Sequence, residues 1–126
     1  KSRIQVFQPS DSDDASLDNL LNSSLELIGK IGYRNATVMR LAKAANVTTG
    51  SIFPRFATKA ELIATATSQC IGTISELSDE LSEQDATLLV ELVRQSRWEP
   101  QIADALGNLP KRHQQALGAA IFKYFL

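Results

Sequence analysis

Six basic residues, Lys30, Arg34, Arg40, Lys43, Arg55 and Lys59, fall between positions 30 and 60 with no aspartate or glutamate among them. Hydroxyls are interleaved with them at Thr37, Thr48, Thr49 and Ser51. Ammonium and guanidinium groups neutralise phosphates and release their counterions, while hydroxyls and the amides at helix starts donate hydrogen bonds to phosphate oxygens and base edges. The chemistry on offer is therefore non-covalent recognition of a polyanion. The flanks have the opposite sign: residues 1–29 carry two Lys/Arg against five Asp/Glu, and residues 61–126 carry five against nine, in a chain of net charge -1. An acidic remainder is repelled by DNA and would turn the basic stretch toward it. A solvated helical face has a similar composition, so the elements that carry these residues must decide.

Covalent chemistry has little to draw on. His113 is the single histidine and stands in a KRHQQ run that reads as solvated helix, and Cys70, the single thiol, lies on the apolar side of another helix. Metal sites need converging ligands. The carboxylates Glu76, Asp79, Glu80 and Glu83 read as the wet face and end of a helix, and no glycine-rich phosphate loop is present. We therefore expect no catalytic residues, no metal, no cofactor and no enzymatic activity. A lone cysteine excludes an internal disulfide and suits a reducing compartment, which with the absence of a long apolar run or signal-like start predicts a cytoplasmic protein that meets no membrane. The chain starts at Lys1 rather than methionine, which points to a processed, trimmed or partial chain.

The pattern along the chain is helical. Residues 1–16, with IQVF followed by QPSDSDDAS, suit an arm or an interdomain linker. Leu17, Leu20, Leu21, Leu25 and Ile28 recur every three or four residues, predicting a first helix over about residues 17–31, capped by Asp14 or Ser16 and closed by Gly32 in the left-handed conformation. Thr37 is the expected cap of a second helix with Val38, Leu41, Ala42 and Ala45 on one face, and Asn46 provides its left-handed exit, with Val47 entering the core. Thr48 would then start a very short third helix. Thr58 and Glu61 have capping-box spacing at the head of a fourth helix, whose stripe of Leu62, Ile63, Ala66, Cys70, Ile71, Ile74, Leu77 and Leu81 runs to about residue 83. A fifth helix over 86–98 ends before Pro100, a short piece spans 101–107, and a last helix covers 111–126. Strand signals are nearly absent, so the fold is all-α.

The second and third helices with their tight turn have the form of a helix-turn-helix, and their residues resemble the TetR family of ligand-responsive transcriptional repressors. The resemblance rests on Thr37, Ala42, Ala45, Val47, Thr48, Gly50, Phe53, Phe56, Lys59 and Leu62, preceded by Ile28 and Gly32, and covers roughly residues 17–63. In that arrangement Thr48 and Thr49 open the helix that enters the major groove, Gly50 lets the backbone approach the sugar-phosphate wall, and Thr37 and Lys59 meet phosphates. Ser51 joins the candidate base contacts, and Arg40, Lys43 and Arg55 are further phosphate candidates. Ile52 and Phe56 are expected to be core anchors. Two positions depart from the family pattern. Phe53 keeps the ring of the usual tyrosine without its hydroxyl, and Pro54 would stop or bend the third helix.

The resemblance implies an N-terminal three-helix helix-turn-helix unit at 17–63, a long connecting helix, and over 64–126 an incomplete part of a helical ligand-binding and dimerisation domain. It implies a homodimer on a double-stranded DNA operator, acting as a repressor released by a small apolar or amphipathic effector. Cys70, Ile74, Leu89, Leu92, Val93, Trp98, Leu117, Ile121 and Phe125 are candidate pocket residues, and core packing accounts for each of them equally well. The competing reading is a degenerate TetR-like interaction or dimerisation module that does not bind DNA.

Overall fold

The computed structural model describes residues 14–70 and 83–111, together with residues 114, 115 and 118; for residues 14–16 and 70 the description covers the backbone alone. The described residues form six helices and no strand: α1 (Asp14–Ile31), α2 (Val38–Ala45), α3 (Thr49–Ile52), α4 (Lys59–Cys70), α5 (Glu83–Gln95) and α6 (Pro100–Gly107). None of them is long and apolar enough to cross a membrane.

The leucine spacing of α1 buries Leu20, Leu21, Leu25 and Ile28 almost completely. The helix begins three residues earlier than the periodicity predicts, so Ser16 lies inside it rather than capping it. It ends as expected at Gly32, whose φ of 86° suits a residue without Cβ and whose amide donates to the Ile28 carbonyl at 2.9 Å. Gly29 serves a different purpose: a Cβ there would stand 2.9 Å from the Gln84 carbonyl oxygen and 3.0 Å from Gln84 Cγ. The missing side chain lets the backbones of α1 and α5 come together.

Thr37 caps α2, its Oγ1 accepting the Arg40 amide at 3.3 Å, and Asn46 leaves the helix at φ 60°. Val47 then folds back, its amide donating to the Ala42 carbonyl at 2.9 Å while its side chain packs against the core. At the head of α4, Thr58 Oγ1 accepts the Glu61 amide at 3.1 Å. Glu61 does not return to the cap amide as the capping-box spacing predicts; its Oε1 takes the amide of Ala57, one residue earlier, at 2.9 Å. The carboxylate still satisfies a donor that the helix start would leave open.

The predicted fifth helix is displaced by three residues. α5 starts at Glu83, with Glu83 and Asp85 in the first turn where the helix dipole favours negative charge. It ends at Gln95, and Ser96–Trp98 form a turn that leads to Pro100 at the start of α6. Leu88, Leu89 and Leu92 are buried, but Val93 is 37 % and Trp98 70 % exposed, so the apolar stripe stops at Leu92. Ile102 and Ala105 bury one face of α6, and Leu109 closes its end. Lys111, Gln114, Gln115 and Gly118 are helical, in keeping with a last helix. The stripe expected at Ile71, Ile74, Leu77 and Leu81 and the apolar side of the last helix lie outside the described side chains.

α1 is the central element. It packs against α2 and α4 and also against α5, while α6 lies on α4 and α3 on α2. Leu21, Leu25, Ile28, Leu41, Ile52, Phe56, Leu62, Ile63, Leu88, Leu89, Leu92 and Ile102 belong to one continuous cluster. Each large apolar side chain removed from water contributes about 1.5–3 kcal/mol, offset by the conformational entropy lost on ordering it. Among the described residues, two hydroxyls within this interior, Ser24 Oγ and Thr67 Oγ1, have no hydrogen-bond partner.

Candidate nucleic-acid interface

The surface in question is built by the core beneath it. Leu41, Ala42 and Ala45 anchor α2, and Ile52 (2 % exposed) and Phe56 (7 %) anchor the single turn of α3, as their apolar character predicts. α1 adds a strut: Asn19 Nδ2 donates to the Ala45 carbonyl at 2.8 Å. With the apolar side pinned, the other side of α2 and α3 faces outward. Thr37, Arg40, Lys43, Thr48, Gly50, Ser51, Phe53 and Arg55 are exposed, and Thr49 is half-buried.

The hydrogen bonds fix what each group can still do. Thr37 uses a lone pair to cap α2, which leaves its hydroxyl proton available to an outside acceptor. Thr48 occupies the cap position of α3 without making the side-chain cap bond, so its hydroxyl is uncommitted. Ser51 is different: its Oγ donates to the Thr48 carbonyl at 2.8 Å, leaving Oγ as an acceptor. Arg40 spends one guanidinium N–H on the Asn35 carbonyl at 3.2 Å and keeps the rest. Among the described residues, none of Lys30, Arg34, Arg40, Lys43 and Arg55 forms an ion pair, whereas Arg94 lies 3.6 Å from Glu91 on α5.

Gly50 stands in open space. A Cβ there would meet nothing nearer than Thr48 Oγ1 at 3.9 Å, and its φ is not positive. Nothing inside the fold requires glycine at this position, and a glycine in a helix costs up to about 1 kcal/mol relative to alanine. α3 ends at Ile52 with Phe53 as its cap, so Pro54 falls in the following turn and breaks no helical hydrogen bond. The Phe53 ring is 54 % exposed. Met39, 74 % exposed beside Arg40, joins the same outer side of α2. Its position off the Val38, Leu41, Ala42 and Ala45 spacing is the sequence signal that marks it as outward-facing.

Lys59 occupies a different environment from the other cations. Its Nζ donates to the carbonyls of Tyr33 at 2.9 Å and Ala36 at 3.2 Å, and lies 4.0 Å from the centroid of the Tyr33 ring. Burial pulls its ammonium below the usual lysine value, with the Glu99 carboxylate opposing. The Tyr33 phenol is pushed up to about 12, first by burial and then by Glu99. This ammonium binds the loop between α1 and α2 to the head of α4. The position of Lys59 before Leu62 conveys none of this, because its partners lie 23 and 26 residues earlier.

Four of the nine candidate pocket residues have described side chains, and these fall in different environments. Leu89 and Leu92 are core side chains, 1 % and 0 % exposed. Val93 borders an open cleft with Val90, Arg94, Ser96 and Arg97, and Trp98 borders another, of about 450 Å³, with Tyr33, Arg34, Lys59, Gln95 and Glu99. The side chain of Cys70 and the residues Ile74, Leu117, Ile121 and Phe125 lie outside the described part of the chain.

Comparison with known proteins gives three findings. The fatty acid degradation regulator FadR from Bacillus halodurans superposes with a TM-score of 0.44 at 20 % identity, over 91 % of this chain and 64 % of that one. This chain thus spans under two thirds of the length of that regulator. No curated protein matches the sequence. The model of the family "Bacterial regulatory proteins, tetR family" matches residues 20–66, the stretch that runs from Leu20 in α1 through the turn and into α4. Over these residues the chain is similar to the TetR family of bacterial regulatory proteins.

Proposed function

We propose that this chain is a DNA-binding transcriptional repressor that acts as a homodimer on a double-stranded operator and is released by a small apolar or amphipathic effector. The observation that carries the reading is the outer side of α2 and α3, where unpaired cations at Lys43 and Arg55 flank free hydroxyls at Thr37 and Thr48 and a glycine that the fold itself does not need. In this reading α3 enters the major groove, Thr37, Arg40, Lys43 and Arg55 hold phosphates, and Thr49 and Ser51 face base edges. Ser51, an acceptor, suits the exocyclic amine of adenine or cytosine. Two-fold pairing follows from the small number of phosphates one head can reach.

A second reading is favoured by the inward Lys59 and by Phe53, which offers a ring and no donor: a TetR-like interaction module that leaves DNA alone. One titration separates the two. The repressor reading expects micromolar or tighter binding to duplex DNA that weakens steeply with salt, and replacing Arg40 or Lys43 by glutamine should lower the slope of log K against log salt by about 1 for each phosphate left without its cation. Absence of binding at low salt would leave the interaction module as the reading.

A further inference from the structure

Glu91 lies on α5, outside residues 20–66, yet its Oε1 accepts the Tyr33 amide at 2.7 Å across 58 residues of sequence. Its side chain is 17 % exposed, and the same oxygen would lie 3.3 Å from any Cβ at Gly32, so the carboxylate sits tight against the peptide that follows the positive φ of Gly32. The other end of the same residue is also held: the Tyr33 carbonyl takes Lys59 Nζ at 2.9 Å, and that ammonium binds the Ala36 carbonyl as well. The loop from Gly32 to Ala36 is thus gripped at an amide by α5 and at two carbonyls by α4. Thr37 follows immediately and caps α2.

We propose that Glu91 is a positioning residue for DNA binding: it fixes the α1–α2 loop and with it the Thr37 hydroxyl and the start of α2. The proposal rests on the DNA-binding reading above. Electrostatics gives it a distinctive sign, because a carboxylate near a phosphate-facing loop repels DNA and its removal would by itself strengthen binding. Positioning requires the reverse. Glu91→Ala removes both charge and acceptor, whereas Glu91→Gln removes the same charge and keeps an oxygen for the Tyr33 amide.

The test is a binding titration of the full chain on duplex DNA at fixed salt, with the Tyr33 amide followed by hydrogen exchange. Glu91→Ala should bind about 3- to 10-fold more weakly and lose protection at the Tyr33 amide. Glu91→Gln should bind at least as well as the starting protein, within about twofold, and so should Arg94→Gln, which breaks only the ion pair on the other carboxylate oxygen. In a Thr37→Val background, Glu91→Ala should cost little more, since the group it positions is already gone. Should Glu91→Ala fail to fold, Glu91→Asp, which withdraws the carboxylate by one methylene, carries the same expectation. Equal affinity of Glu91→Ala and the starting protein overturns the proposal, as does equal weakening by the alanine and glutamine variants or full additivity with Thr37→Val. A starting protein that binds no DNA overturns the functional reading itself and this proposal with it, while one that binds and ignores Glu91 overturns only this proposal.

Discussion

Replacing Gly50 by alanine should move stability and DNA affinity in opposite directions. The added Cβ meets only Thr48 Oγ1, at 3.9 Å, and the backbone φ is acceptable to an L-residue. Glycine-to-alanine changes at such sites gain about 0.4–1 kcal/mol, and because α3 is one turn long the lower end applies, about 0.5 kcal/mol. That corresponds to a rise of about 2 °C in the thermal midpoint. On DNA the same methyl would intrude where backbone meets the groove wall, an overpacking of about 1–2 kcal/mol, or roughly 5- to 30-fold in Kd. Thermal melting by circular dichroism reads the first quantity, and fluorescence anisotropy with a duplex of about 30 bp, long enough for two half-sites, reads the second. Gly107→Ala is the control: that glycine ends α6 with nothing within 4 Å of its missing Cβ, so affinity there should not change. Undiminished affinity of Gly50→Ala would refute the placement of α3 against DNA. A fall in its midpoint would refute the open geometry at Gly50.

Gly29→Ala should do the opposite to stability, losing about 1–3 kcal/mol in urea denaturation because its Cβ would collide with the Gln84 carbonyl; an unchanged midpoint would mean that α1 and α5 are not closely packed. Thr67→Val removes a buried hydroxyl without a partner while keeping its shape, so stability should hold or rise by up to about 1 kcal/mol, and a clear loss would reveal a partner for that oxygen. The Tyr33 phenol, held up to about 12 in the folded chain against an ordinary value of 10, favours the folded state in full below pH 10. That contribution should be lost as the pH rises from 10 toward 12. Absorbance titration of Tyr33 in a Tyr124→Phe background checks it, and ionisation near pH 10 would contradict the burial.

What the sequence made legible was what short-range rules govern. The spacing of Leu20, Leu21, Leu25 and Ile28, the cap at Thr37, the left-handed exits at Gly32 and Asn46 and the anchoring by Ile52 and Phe56 all depend on neighbours within a turn or two, and all are present. Trp98 departs from the expected helix because apolar spacing continues past the point where the turn before Pro100 ends α5. Lys59 and Glu91 are opaque in the sequence for a different reason: each is defined by a backbone group tens of residues away in a loop with no periodicity to read. Phosphate contact and loop clamping ask for the same residue type at the head of a helix, and the bonds from Lys59 to the Tyr33 and Ala36 carbonyls are visible only in the fold.

The notch at Gly29 bears on whether the helix-turn-helix could be transplanted. Its complement is the Gln84 backbone, and the same side of α1 feeds a core shared with Leu88, Leu89 and Leu92. A chimera cut at Ala66 would carry the outer side of α2 and α3 but would leave the notch empty, bare apolar side chains beside it and the Tyr33 amide without its acceptor. Portability would therefore require bringing α5 along or redesigning one face of α1, so the smallest exchangeable piece of this chain is larger than the helix-turn-helix itself.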